Sequence, residues 1–332
     1  MLGEFKIMVT IKDVAKLAGV SVGTVSKVIN NIGVKPRTKE LVENAIKELN
    51  YEPNIYARGL KINKTNTVAL ILPTVWNPFF GELAFNIEKN LAKYNLKMIL
   101  CNSENNYKKE LEYITMVKQN KVDGIISISY SDIDSYVSTN IPIVSIDRFF
   151  TKAIPYVSSD NLKGGIMAAE ELVKAGCKKL AVIGRGSKVN NSTTNRAIGF
   201  VNYCKDNKIQ YKDYYYVGHT KEFEEFLDDF LIKNFKDKIN FDGIFAITDE
   251  YAEEVINKLN KLNINVPNDV QIIGYDGVKS HSKDTIKIST IRQPLDLIAE
   301  KAVYNLTKLI NQKSIPNETL IPVRFIKGYT TK

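Results

Sequence analysis

The chain has 332 residues, 44% hydrophobic and 25% charged, the composition of a folded protein of two or more domains rather than a disordered or fibrous one. Its net charge of +9 is uneven: residues 1–66 hold eleven Lys and Arg against six Asp and Glu, a surplus of +5, while the other 266 residues carry +4. No apolar run approaches the ~20 residues that span a bilayer, and residues 1–9, MLGEFKIMV, lack an apolar signal core, so a cytoplasmic chain with no membrane partner is expected. Those nine residues are read as an extension, with Met8 as an alternative start.

Residues 10–31, TIKDVAKLAGVSVGTVSKVINN, read as a helix, a tight turn and a second helix. Thr10 is the expected N-cap, with Asp13 as its capping-box partner. Val14, Leu17 and Ala18 recur on one face. Ala18-Gly19-Val20 supplies the turn, and Ser21 caps the second helix, whose Val25, Val28 and Ile29 point inward. Val22, Gly23, Ser26, Lys27 and Asn30 are left on the outer side. That is the geometry of a helix-turn-helix, whose second helix lies in the DNA major groove. TKELVENAIKELN, residues 38–50, makes a third amphipathic helix with Leu41, Val42, Ala45, Ile46 and Leu49 inside. In the stretch that follows, Pro53 suits the first turn of a short helix, but too few apolar residues follow to hold such a helix alone in water, so the stretch is either a plain linker or a helix that forms only when something holds it.

This amino-terminal stretch resembles the lactose/galactose-repressor family of bacterial regulators through TIKDVAKLAGVS, TVSKVIN, TKELVENAIKELNY and PNIYARGLK. The resemblance implies a DNA-binding head over 10–52 and a hinge helix with linker over 53–65 that folds on the operator. It implies DNA contacts from Thr10, Ser21, Val22, Gly23, Thr24, Ser26, Lys27 and Asn30 of the head, and from Asn54, Ala57, Arg58, Leu60 and Lys61 of the hinge. Leu60 would wedge into the minor groove at the central base step, partly unstacking and kinking the duplex, with Arg58 and Lys61 meeting phosphate or groove edges. The base-reading positions fall on Val22, Gly23 and Lys27. A lysine donates to guanine O6 and N7, and a valine packs on a thymine methyl. Gly23 offers no side chain and costs a helix about 1 kcal/mol against alanine, so part of the reading is expected through DNA shape and the hinge.

From Thr67 onward strand and helix alternate. VALILP (68–73), KMILCN (97–102), DGIISIS (123–129), PIVSID (142–147), LAVIG (180–184), DGIFAIT (242–248) and VQIIGYD (270–276) read as buried strands, and ISTIRQP as a late one. The intervening segments read as helices, for example 80–94, 107–120, 161–175, 194–207 and 250–262. Continuous apolar strands separated by helices imply parallel sheets covered on both faces; one large sheet and two smaller ones both satisfy the pattern. Asn161 is expected to cap the helix that starts there, and the glycines of KGG to allow close approach to a neighbouring strand. Cys101, Cys177 and Cys204 are widely spaced beside apolar residues and are expected as buried, reduced thiols. His219 and His281 lack ligand spacing, so neither a metal nor a cofactor is expected.

The body resembles the periplasmic-binding-protein-type effector domain found throughout the same family. That implies two doubly wound α/β lobes over 66–332 with a ligand in the cleft between them. Open parallel sheets bind ligands beyond the carboxyl ends of their strands. There stand Asn77, Phe79 and Phe80 of WNPFF, the Asp147-Arg148 pair, Ser192, Asn195 and Arg196 ahead of Gly199-Phe200, then Asp249, Asp276 and Gln293. Aromatic faces can stack on the apolar side of a sugar ring; carboxylates accept from hydroxyls and guanidiniums donate in planar forks. The resemblance implies that these residues line a sugar pocket.

The runs CNSENN, VDGIIS, PYVSSDNLKGGIMAAEEL, IIGYDG and STIRQP are most similar to the sucrose-operon repressors of that family, which points to sucrose, fructose or a related saccharide. The expected protein is therefore an all-α helix-turn-helix head joined by a hinge helix to a two-lobed α/β body. It would act as a homodimer on a palindromic operator, repressing a carbohydrate-utilisation operon with an affinity that a bound sugar changes. The ending IKGYTTK has no trailing heptads, so a dimer without a tetramerising tail is expected. A catabolite-control-type regulator answering to a phosphocarrier protein stays open, as does a sugar-binding protein without regulatory role. There is no GxSxG, GxxxxGK[ST] or HExxH, and arginines beside the aspartates would lower the pKa of a would-be acid; no catalytic residue is expected.

Overall fold

The computed structural model describes residues 9–52, 65–120, 122–136, 141–150, 153–186, 191–218, 220–279, 281 and 283–332, with Thr220 and Lys221 as backbone alone. The chain divides into two units, Met1–Thr65 and Asn66–Lys332. The expected hinge residues Asn54, Ala57, Arg58, Leu60 and Lys61, and all but the last residue of the expected extension, lie outside the described residues.

Three helices make the first unit: α1 (Ile11–Leu17), α2 (Val22–Ile29) and α3 (Pro36–Glu48). Asp13 Oδ2 accepts from the Thr10 amide at 2.8 Å and from its hydroxyl at 2.7 Å, which fixes the start of α1. Gly19, at φ +64°, makes the turn that a Cβ would strain. The Thr24 amide donates to Ser21 Oγ at 3.2 Å, capping α2. Helix α3 starts two residues before the expected 38, because Pro36 at its first position has the right φ and lacks the amide that would go unpaired. The core is small and built of small residues: Val14, Ala15, Ala18, Val25, Val28, Val42 and Ala45. Two expected core residues lie outside it. Leu17 is 46% and Leu41 48% exposed.

The second unit contains two six-stranded sheets rather than one large one. The first sheet has the order β11-β5-β4-β3-β1-β2 and is wholly parallel. Its strands are β1 (Thr67–Leu72), β2 (Lys97–Asn102), β3 (Gly124–Ser127), β4 (Ile143–Ile146), β5 (Tyr156–Ser159) and β11 (Glu318–Ile321). Helices α4 (Pro78–Ala92), α5 (Tyr107–Gln119) and α10 (Leu295–Ile310) cover it. In β1, Val68, Leu70 and Leu72 pack with α4 and α10, while Ala69 and Ile71 pack on the α5 side; burial on both faces is why the run reads as continuously apolar.

The second sheet has the order β12-β10-β9-β8-β6-β7, parallel except where β10 meets β12. It comprises β6 (Lys179–Gly186), β7 (Gln210–Val217), β8 (Gly243–Ala246), β9 (Gln271–Asp276), β10 (Thr290–Arg292) and β12 (Arg324–Ile326). Around it lie α6 (Asn161–Lys174), α7 (Thr194–Asp206), α8 (Thr220–Phe235) and α9 (Asp249–Lys261). Within each lobe the chain order reverses beside the first strand, between β1 and β3 and between β6 and β8, which is where open sheets leave a crevice. The chain passes between lobes three times: from β5 into α6, from β10 into α10, and from β11 into β12.

The sequence pattern misses β5, β7, β11 and β12, and does not single out helices α8 and α10. Edge strand β7, QYKDYYYV, is exposed or half-buried throughout, so it lacks the apolar run that marks a covered strand. Asn161 does not cap α6. Asp160 does, accepting from the Lys163 amide at 3.1 Å, and Asn161 becomes the buried first residue of the helix. Of the KGG glycines, Gly164 does face a strand, lying under the Tyr275 ring of β9, but Gly165 faces another helix. A Cβ on Gly165 would sit 1.9 Å from the Arg196 carbonyl oxygen, and one on Gly199 2.0 Å from that of Leu162, so α6 and α7 touch backbone to backbone. The three cysteines are buried and free. Among the described residues no helix is long and apolar enough to cross a membrane.

Candidate functional site

In the first unit the outer side of α2 is open. Val22, Gly23 and Lys27 are exposed, and no acidic residue occupies the first turn. Its amino-terminal end therefore keeps its positive dipole for an anion such as phosphate. Ser26 and Asn30 are half-buried and engaged with each other's turn, the Asn30 amide donating to the Ser26 carbonyl at 2.7 Å. Thr10, Ser21 and Thr24 spend their hydroxyls on the caps.

In the second unit, residues from facing strand ends meet in one buried polar cluster. Asp147 follows β4 at φ +57°, and Asp276 ends β9 at φ +113°. Such backbone costs about 1–3 kcal/mol per residue and persists where the surroundings impose it. Ser158 Oγ donates to Asp147 Oδ1 at 2.8 Å, and Ser192 Oγ lies 3.1 Å from the same oxygen. Ser159 Oγ donates to Gln293 Oε1 at 2.7 Å, and Gln293 Nε2 to Asp276 Oδ1 at 2.7 Å. Arg196, projecting from the first turn of α7, donates to Asn161 Oδ1 at 2.7 Å, the Ile247 carbonyl at 2.8 Å and Asp276 at 3.2 Å. Its guanidinium lies 3.8 Å over the Tyr275 ring. Asp249, at the start of α9, accepts from the amides of Gly277 (2.7 Å) and Val278 (2.9 Å) and from Thr290 Oγ1 (2.6 Å).

Burial dominates the electrostatics. Burial first, then the neighbouring charge of Asp276, lifts the Asp249 carboxyl to about 7. Burial likewise lifts Asp276 to about 6 against the pull of Arg196 and the Gln293 amide. Burial opposes the charge of Arg196 too, yet Asp276 and the other acidic groups facing it hold its pKa above the ordinary value. Tyr130 and Tyr275 face the same charges, and burial raises both hydroxyls. The cluster offers carboxylate acceptors, a fixed planar donor and several hydroxyls, which matches the alternating donors and acceptors of a polyol.

Not every expected residue joins this cluster. Arg148 is 1% exposed and turns toward the first lobe, where Asp134, Ser129 and the Ser131 carbonyl hold its terminal nitrogens. Its Nε is buried with no partner among the described residues. Phe79 packs in the core of the first lobe, edge-on to Phe80 at 5.2 Å, so only the half-buried Phe80 ring keeps an accessible face. Asn77 caps α4 and reaches the other lobe, its Nδ2 donating to Glu250 Oε2 at 3.0 Å. Asn195 is half-buried and gives its amide to the Ser192 carbonyl. Sequence reading misses Ser158, Ser159 and Tyr275, and takes Asn161 for a cap. The signal available was position: VSSDN closes a strand in the same way as the expected site residues.

Residues 10–54 match the profile of the lacI family of bacterial regulatory proteins, and residues 169–331 that of a periplasmic binding protein-like domain. The sucrose operon repressor of Streptococcus mutans is 38% identical, over 95% of this chain and 97% of its own. A periplasmic binding protein/LacI transcriptional regulator from Alkaliphilus metalliredigens, solved with D-xylulofuranose, is 29% identical, with a TM-score of 0.71 over 80% of this chain and 99% of its own. The lac repressor dimer, solved on its operator with an anti-inducer, has a TM-score of 0.82 over 97% of this chain and 98% of its own; at 22% identity that is a likeness of fold.

Proposed function

Since this chain belongs to the lacI family of bacterial regulatory proteins, we propose that it is a sequence-specific DNA-binding repressor of a carbohydrate-utilisation operon, governed by a sugar held between its lobes. The observation that carries the reading is the buried cluster of Asp147, Asp249, Asp276, Arg196 and Gln293 at facing strand ends, in a chain that also has a helical head with an open α2 face. In this reading Val22, Gly23 and Lys27 meet base edges, while Leu60 of the 53–65 hinge wedges the minor groove. Two copies pair through their 66–332 bodies, because one short head reads too few base pairs for specificity and a symmetric dimer matches a palindrome. The sugar alters operator affinity through its different affinity for two body states, typically 1–3 kcal/mol of coupling.

The relative at 38% identity is named for the sucrose operon, so sucrose and fructose head the saccharides to test. Binding of the purified protein to genomic operator candidates, titrated with a sugar panel and with or without a phosphocarrier protein, tests this. Sugar-dependent, sequence-selective binding is expected without the carrier; a carrier requirement with no sugar response overturns the sugar assignment. Leu60→Ala should weaken operator binding at least tenfold and leave sugar affinity unchanged.

A further inference from the structure

Among the described residues, two side-chain contacts outside the polar cluster cross between the lobes from the amino-terminal part of α4. One joins Asn77 to Glu250. The other is an ion pair in which Arg292, at the end of β10, grips Glu82 with both terminal nitrogens, Nη1 standing 3.3 Å from Oε2 and Nη2 bound to Oε1. Nη1 also donates to the carbonyl of Gly277. Gly277 in turn gives its amide to Asp249, as does Val278, and Asp276 is the residue before. One guanidinium thus ties a carboxylate of the first lobe to the loop that carries one cluster carboxylate and holds another. The side chains are 14% and 32% exposed for Arg292 and Glu82, so water screens the pair only in part. A Cβ on Gly277, which sits at φ +72°, would stand 2.3 Å from Arg292 Cδ: loop and arginine are fitted to each other.

We propose that the Glu82–Arg292 pair is a positioning element of the effector site, ordering the 276–278 loop according to where the first lobe stands. Movement of α4 and occupancy of the cluster are then linked through one planar fork, which a lysine cannot reproduce. Neither side chain needs to touch the sugar. The link to regulation rests on reading the cluster as a sugar site; the ordering of the loop by Glu82 does not.

Hydrogen–deuterium exchange of the full-length protein tests the ordering. In Glu82→Gln the amides of residues 277 and 278 should exchange at least threefold faster than in the parent. Arg292→Lys should do the same, and the double variant should go no faster than the faster single, since paired residues act as a unit. Glu88→Gln, on an exposed turn of the same helix, should leave those amides unchanged. Glu82 is partly exposed and glutamine keeps its shape, so that variant folds even if Arg292→Lys does not. Unchanged amides in Glu82→Gln overturn the proposal. A second arm compares operator affinity with and without saturating sucrose or fructose. In Glu82→Gln that ratio should move at least threefold toward one; an unchanged ratio overturns the link to regulation. If the loop loosens while the parent protein answers to neither sugar, the positioning role stands and the sugar assignment fails.

Discussion

Arg196 and Asp276 meet at 3.2 Å while the guanidinium lies over the ring of Tyr275, the residue next to its partner. The first turn of α7 is thereby clamped to the end of β9 by charge and by stacking together. Arg196→Lys keeps the charge but loses the fork that spans Asn161, Ile247 and Asp276. Sugar affinity should fall at least tenfold, about 1.4 kcal/mol, while binding to DNA without sugar persists. Calorimetric titration checks this, and an unchanged affinity would remove Arg196 from the pocket.

The raised carboxyls make stability depend on pH in a definite direction. Asp249, near 7, and Asp276, near 6, both titrate above the unfolded value of about 3.9. Between those limits the folded chain binds more protons than the unfolded chain, so this contribution to stability grows as pH falls from 8 toward 5. Asp276→Asn removes one of the titrations. The difference in melting temperature between parent and variant should therefore shift in favour of the parent as pH is lowered. A difference independent of pH would mean that Asp276 titrates normally.

Gly165→Ala places a methyl carbon 1.9 Å, and Gly199→Ala one 2.0 Å, from a carbonyl oxygen of the neighbouring helix. Nothing flexible can yield there, since the obstructing atoms belong to the backbone. Each variant should lose more than about 3 kcal/mol in urea unfolding, at the upper end of overpacking costs. Gly176→Ala, where nothing lies within 4 Å but φ is +90°, should lose about 1 kcal/mol from backbone strain alone.

In the head, Ser21→Ala removes the acceptor that caps α2 and should cost about 1 kcal/mol of stability. Lys27→Ala should leave the fold intact, since Lys27 is exposed. It should instead reduce discrimination between operator and scrambled duplex by about 1–3 kcal/mol. Competition binding at fixed salt measures this; equal loss on both duplexes would move Lys27 from base to phosphate.

What could be read from the sequence divides along physical lines. Strand β1 was legible because helices cover both its faces, leaving five buried apolar residues in a row. Caps at Thr10 and Ser21 were legible because they involve residues only three apart. The candidate carboxylates and Arg196 could be placed because strand ends are where such sheets hold ligands. Phe79 could not be told from Phe80, since only packing decides which ring is core. Arg148 and Arg196 are equivalent in the sequence, and only the fold brings Asp134 onto Arg148. The Glu82–Arg292 pair joins residues 210 positions apart across two lobes, and no local pattern encodes it.

The threefold passage between lobes also dictates the order in which the body can be finished during synthesis. Leu295, Ile298, Ala299, Ala302, Val303 and Leu306 of α10 complete the core around β1, β3 and β4, and β11 closes the far edge of that sheet. A nascent chain that has already emitted every strand of the second sheet but β12 still has an open apolar wall on the first. The lobe begun earliest is thus sealed only when residues 295–321 leave the ribosome, and the body's two halves mature almost together.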